Sequence, residues 1–115
     1  MSDAPVDREA LLDLVDDDTV FLEKLIETFR RDCRTYLQGI RAAIERGDAE
    51  SLVNEAHGLK GAAAHLQAES VRAAARRLEE LGQKRDLDQA PEHVVQLEQE
   101  VERLLPALEE MVADT

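Results

Sequence analysis

Apolar residues recur along this chain at spacings of three and four, the period of a helix with one buried face. Leu11, Leu12, Leu14 and Val15 give a short first helix over residues 7–15, with Asp7 as its cap. Asp16-Asp17-Asp18 interrupts it as an acidic turn. A long helix comes next, from Asp18 or Thr19 to about Arg46, carried by Leu22, Leu25, Phe29, Tyr36, Ile40 and Ala43. Cys33 fills a gap in that stripe. Gly47 closes this helix and Asp48 opens the next, which runs to Leu66. Gln67 to Ser70 is a tight turn, and a fourth helix from Ser70 to Leu81 faces Val71, Ala74, Ala75, Leu78 and Leu81 inward and stops at Gly82. A polar link over residues 83–90 leads to the last helix, with Pro91 in its first turn. Its stripe is Val94, Leu97, Val101, Leu104, Leu108 and Met111; Pro106 falls inside it and is expected to kink the helix or weaken its last turns.

The fold class this predicts is all-α: an antiparallel four-helix bundle with a short extra N-terminal helix capping one end. Residues 1–115 make a single domain, with 1–5 expected to be flexible and 112–115 a tail. Aromatics at 3% and the absence of Trp favour helix over sheet. A net charge of −12 argues against a nucleic-acid surface. One cysteine, Cys33, excludes an internal disulfide and fits a reducing compartment. No signal peptide or spanning segment is visible, so the expectation is a cytoplasmic protein away from the membrane.

The third helix carries the candidate chemistry. Leu52, Ala56, Leu59, Ala63 and Leu66 face the core, and Val53, His57, Lys60, Gly61 and Ala64 form the stripe beside them. His57 therefore sits at the border of core and solvent, with Lys60 and Gly61 one turn away. Glycine inside a helix loses about 1 kcal/mol relative to alanine, so a helix that keeps Gly58 and Gly61 either loses that stability to no purpose or needs its backbone close to something. A reachable imidazole can act as a nucleophile, and a lysine one turn on can neutralise a phosphoryl group arriving there. His65 reads as a surface residue, and His93, in the first turn of the last helix, as solvated.

Ala56-His57-x-Leu59-Lys60-Gly61, followed by small residues and Leu66, resembles the signature of histidine-containing phosphotransfer (HPt) domains of two-component phosphorelays. Phe29, Gly47-Asp48 and Leu78-Glu79 also fall where that family has them. The family often has glycine ten residues after the histidine, and here that residue is Gln67, a departure that bears on the turn after the helix. The resemblance implies that His57 accepts a phosphoryl group from a receiver-domain aspartate, through Nε2, and passes it to another receiver. Lys60 would offset phosphoryl charge, Gly61 would let the receiver seat, and Gly58 would do likewise or ease packing. Val15, Phe21 and Ala64 are candidate docking residues. The partners implied are response-regulator receiver domains and a hybrid sensor kinase, with the protein itself a monomer. No cofactor is expected on this chain, since Mg²⁺ would be held by the receiver.

Rival readings are weaker. No histidine has a Glu three residues before it, so a di-iron bundle does not fit, and no metal site is expected. No glycine-rich phosphate loop or Mg²⁺-binding Asp/Asn set is present, so autokinase activity is not expected. A non-catalytic helical adapter for signalling partners is the alternative, but it leaves Gly58, Lys60 and Gly61 together without a reason.

Overall fold

A computed structural model describes residues 4–114. Within them lie α1 (Arg8–Leu14), α2 (Thr19–Arg46), α3 (Ala49–His65), α4 (Glu69–Gln83) and α5 (Ala90–Ala113), with no strands among the described residues. Three aspartates start the first three helices. Asp7 caps α1 through the Ala10 amide, Asp18 caps α2 through Phe21, and Asp48 caps α3 through Ser51. Gly47 ends α2 in a left-handed conformation, φ 66°. Asp16 and Asp17 are also left-handed, which turns the acidic run sharply between α1 and α2.

Each of the four long helices packs on two neighbours: α3 on α2 and α4, and α5 on α2 and α4. Cross-helix contacts fix the directions. Gly58 meets Tyr36 and Gly39 meets Glu55, so α3 runs antiparallel to α2. His57 meets Glu79 and Val53 meets Gly82, so α4 runs antiparallel to α3. Arg30 pairs with Glu109 and Arg41 with Glu98, so α5 runs antiparallel to α2. The 28 residues of α2, at about 1.5 Å each, account for most of the 44 Å long axis. Helix α1 closes one end of the bundle: the Asp7 amide donates to the Gln67 carbonyl at 3.0 Å and Arg8 bonds Asp114 at 2.9 Å.

Leucine and alanine fill the core, including Leu22, Leu52, Leu59, Leu78, Leu97 and Leu104. Cys33 lies among them at 2% exposure, and burial pushes its thiol up to about 11, so it is inert. No helix among the described residues is long and apolar enough to cross a membrane.

Two local expectations are revised, at Gly82 and at His93. Gly82 does not stop α4; it is buried inside the helix, where an added Cβ would meet Val53 Cγ2 at 2.7 Å, and the left-handed residue beyond α4 is Arg85. Helix α5 continues past Pro106, because Leu108 and Met111 are buried beyond it. Pro106 and Glu102 are both exposed, so the carbonyl that proline leaves unbonded lies on the wet side. His93 is half-buried rather than solvated, and its Nδ1 is buried without a partner.

Candidate functional site

The capping of α3 by Asp48 and its apolar stripe set the rotation of the helix. Ala49, Leu52, Ala56, Leu59 and Ala63 are buried, which carries His57 to the flank toward α4. The His57 side chain is 67% exposed. Opposite it, α4 turns an acid inward: Glu79 is 7% exposed. Glu79 Oε2 lies 2.6 Å from His57 Nδ1, and Lys60 Nζ donates to Glu79 Oε1 at 2.6 Å. One carboxylate thus ties the imidazole and the lysine together from below.

Burial alone would raise the Glu79 carboxyl. The hydrogen bonds from Lys60 and His57, and the positive charge of Lys60, outweigh it and hold the group below the usual carboxylate range. Glu79 is therefore ionised at neutral pH, and an ionised carboxylate only accepts hydrogen bonds. Nδ1 of His57 must then carry the proton it shares with Oε2. In the neutral ring that leaves the lone pair on Nε2, the outer nitrogen of an exposed side chain. Lys60 spends one of its three N–H groups on Glu79 and has two left for an incoming anion.

The surface beside His57 is open on one side. A Cβ built on Gly61 would meet nothing within 4 Å, and Ala64, one turn further, is exposed. Gly58 has a different reason to be glycine, since a Cβ there would collide with the ring of Tyr36, at 2.7 Å from Cζ. Of the two roles the sequence leaves open for it, packing is the one the geometry occupies. Gln67 takes up the left-handed conformation, φ 57°, that the turn after α3 demands.

Among the candidate docking residues, Phe21 is 48% exposed, at the end of the bundle where α3 finishes. Val15 must be withdrawn from that surface. It is 2% exposed because its position after the last turn of α1 directs the side chain into the core. Leu14, at 50%, and Val20, at 62%, are the exposed apolar residues beside it. Glu79 was missed as a site residue. The signal was present: it stands four residues after Ala75 and three before Gly82, on the inward stripe, where an acid needs a cation. Among the described residues no group of three His, Cys, Asp or Glu side chains could hold a metal ion.

The family model of the Hpt domain matches residues 24–107 of this chain. The crystal structure of histidine-containing phosphotransfer protein B (HptB) from Pseudomonas aeruginosa PAO1 is similar, with a TM-score of 0.85 and 25% sequence identity over 99% of each chain. A comparison with curated proteins finds no match.

Proposed function

The chain belongs to the Hpt domain family, whose work is histidine phosphotransfer in two-component signalling, and on that premise we propose that His57 accepts a phosphoryl group from one receiver-domain aspartate and passes it to another. The observation that carries this reading is the buried Glu79 carboxylate on Nδ1 of an exposed histidine.

In the accepting step, the Nε2 lone pair attacks the phosphorus of an aspartyl phosphate. The Nε2–P bond forms, the P–O bond breaks, and the donor aspartate leaves as a carboxylate. The ring becomes a cation while Nδ1 keeps its proton against Glu79. In the donating step, an aspartate of the second receiver attacks the phosphorus and the P–Nε2 bond breaks. The leaving group is then neutral imidazole, because the Nδ1 proton never left. The two spare N–H groups of Lys60 face the phosphoryl oxygens and offset their charge. Mg²⁺ and the acidic pocket are the receiver's to supply. Gly61 and Ala64 give the receiver its seat, and Leu14, Val20 and Phe21 extend it as an apolar margin. We take the protein to act as a cytoplasmic monomer, with a hybrid sensor kinase upstream.

The test is phosphoryl acceptance from a phosphorylated receiver domain, wild type beside His57→Gln. Acid-labile, base-stable label that disappears in the variant, with helical content unchanged, supports the relay. Label that survives the substitution refutes the site. Absence of label from a broad panel of receivers, with the protein folded, favours the adapter reading.

A further inference from the structure

The open surface of α3 has two flanks. Gly61 falls between His57 and Gly58 on the helical wheel, about 40° from the one and about 60° from the other. On the α4 side stands His57, held by Glu79. On the α2 side the backbone of Gly58 is covered by Tyr36. A Cβ on Gly58 would lie 2.7 Å from Cζ of that ring and 3.0 Å from its hydroxyl oxygen. The phenol end of Tyr36 therefore rests on α3, one residue along from His57.

That hydroxyl has no duty inside the chain. It makes no hydrogen bond among the described residues. Tyr36 is half-buried, yet its oxygen is not sealed from water, because among the described residues His93 Nδ1 is the one buried side-chain polar atom without a partner. Packing on Gly58 would be served equally by phenylalanine, so the fold does not account for the hydroxyl. Aromatic residues are also few, one tyrosine and two phenylalanines. Phe29 is in the core, which leaves Phe21 and Tyr36 for a partner to reach. They stand 15 residues apart on α2, about 60° on the wheel and about 22 Å along the axis, so both lie on the face that borders α3. Together they bracket Gly61 and Ala64 lengthwise.

We infer that Tyr36 is a docking residue for the receiver: its ring extends the seat across Gly58, and its hydroxyl hydrogen-bonds to the receiver's surface while His57 meets the aspartyl phosphate. A helix with its side chains is about 10–12 Å wide, and one side of a stable interface covers about 800 Å², so a partner seated on Gly61 over His57 reaches Tyr36 as well. Tyrosine brings a large rigid area and a polar end with few rotors, and such residues carry much of the energy of interfaces. The ring is already laid down on Gly58, so little freedom is lost when the receiver arrives. Tyr36 takes its partner from the phosphotransfer reading of His57, but the contact itself needs no phosphoryl group.

The experiment is titration calorimetry of the full chain with unphosphorylated receiver domains from the acceptance panel, which reads binding without transfer. Tyr36→Phe keeps the ring on Gly58 and removes only the hydroxyl, so the melting temperature should hold while receiver affinity falls about 2- to 10-fold. Tyr36→Leu removes the ring too and should weaken binding more than Tyr36→Phe. In rapid-quench transfer from the phosphorylated receiver, the loss should appear in the half-saturating concentration and not in the rate at saturation. Tyr36→Phe binding as tightly as wild type overturns the inference, as does a loss confined to the saturated rate or one matched by unfolding in thermal melts. A panel in which no receiver binds overturns it together with the phosphotransfer reading. A receiver that binds through Tyr36 but leaves no label on His57 refutes that reading alone.

Discussion

Glu79→Gln isolates the proton on the imidazole. In the wild type, the carboxylate accepts from Lys60 at one oxygen and from His57 Nδ1 at the other, each at 2.6 Å. Glutamine keeps the shape but has one accepting and one donating end. The Lys60 ammonium can only donate, so it takes the amide oxygen. The amide NH₂ is then turned to Nδ1, which must accept, and the ring proton moves to Nε2. The outer nitrogen loses its lone pair in that tautomer. A hydrogen bond to a charged group is worth about 1.5–3 kcal/mol, and about 1.4 kcal/mol is tenfold, so transfer should slow about 10- to 100-fold. Because the His57 side chain is 67% exposed, water can serve either tautomer, and the lower end of that range is expected. Weakening the ion pair to Lys60 also costs about 1 kcal/mol, or about 4 °C in Tm for a chain of this length. Rapid-quench transfer from a phosphorylated receiver reads the rate, and ¹⁵N shifts of the imidazole read the tautomer. A folded Glu79→Gln protein with an undiminished rate, or a wild-type ring protonated at Nε2, would refute the reasoning.

The two glycines of α3 should respond in opposite ways. Gly58→Ala drives a Cβ into Tyr36 and should lose about 1–3 kcal/mol, whereas Gly61→Ala meets nothing and should gain up to about 1 kcal/mol; thermal melts compare them, and equal shifts would contradict the packing. Gln67→Gly relieves a left-handed backbone and should raise stability by about 0.5–1 kcal/mol, read as a higher denaturant midpoint. Glu79 titrates below its ordinary value of 4.5 in the folded chain, so the unfolded chain binds the proton more tightly and stability rises with pH there. That contribution is complete above the unfolded carboxyl's range and is lost as pH falls through 4.5 toward the folded value. Melts between neutral and acid pH should therefore fall less steeply for Glu79→Gln than for wild type.

The helices were legible because each buries a long stripe, and a stripe repeats its message several times. Helix α2 could be read from six stripe residues, with Asp18 and Gly47 at its ends. Errors fell where one residue had to speak alone. Gly82 reads as a stop by itself, but against Ala49 and Val53 it is a close approach between helices. Val15 looked available as an apolar residue beside a turn, and only the closure of the bundle by α1 shows that its side chain is spent in the core.

Glu79 shows why the site was only half legible. Spacing along α3 brings Lys60 and Gly61 to His57 because all three share one helix. The third partner sits 22 residues away, and its place depends on the register between two antiparallel helices, which periodicity does not specify. Chemistry narrows the choice all the same. An acid on the inward stripe of α4 must find donors or lose its charge, and the flank of α3 offers His57 and Lys60. Meeting that need also fixes the proton on Nδ1. The group that anchors α4 to α3 at this level is thus the group that leaves the Nε2 lone pair of His57 facing outward. Substituting Glu79 should impair stability and transfer together, while His57→Gln, whose amide can still donate to Glu79, should impair transfer with little loss of stability.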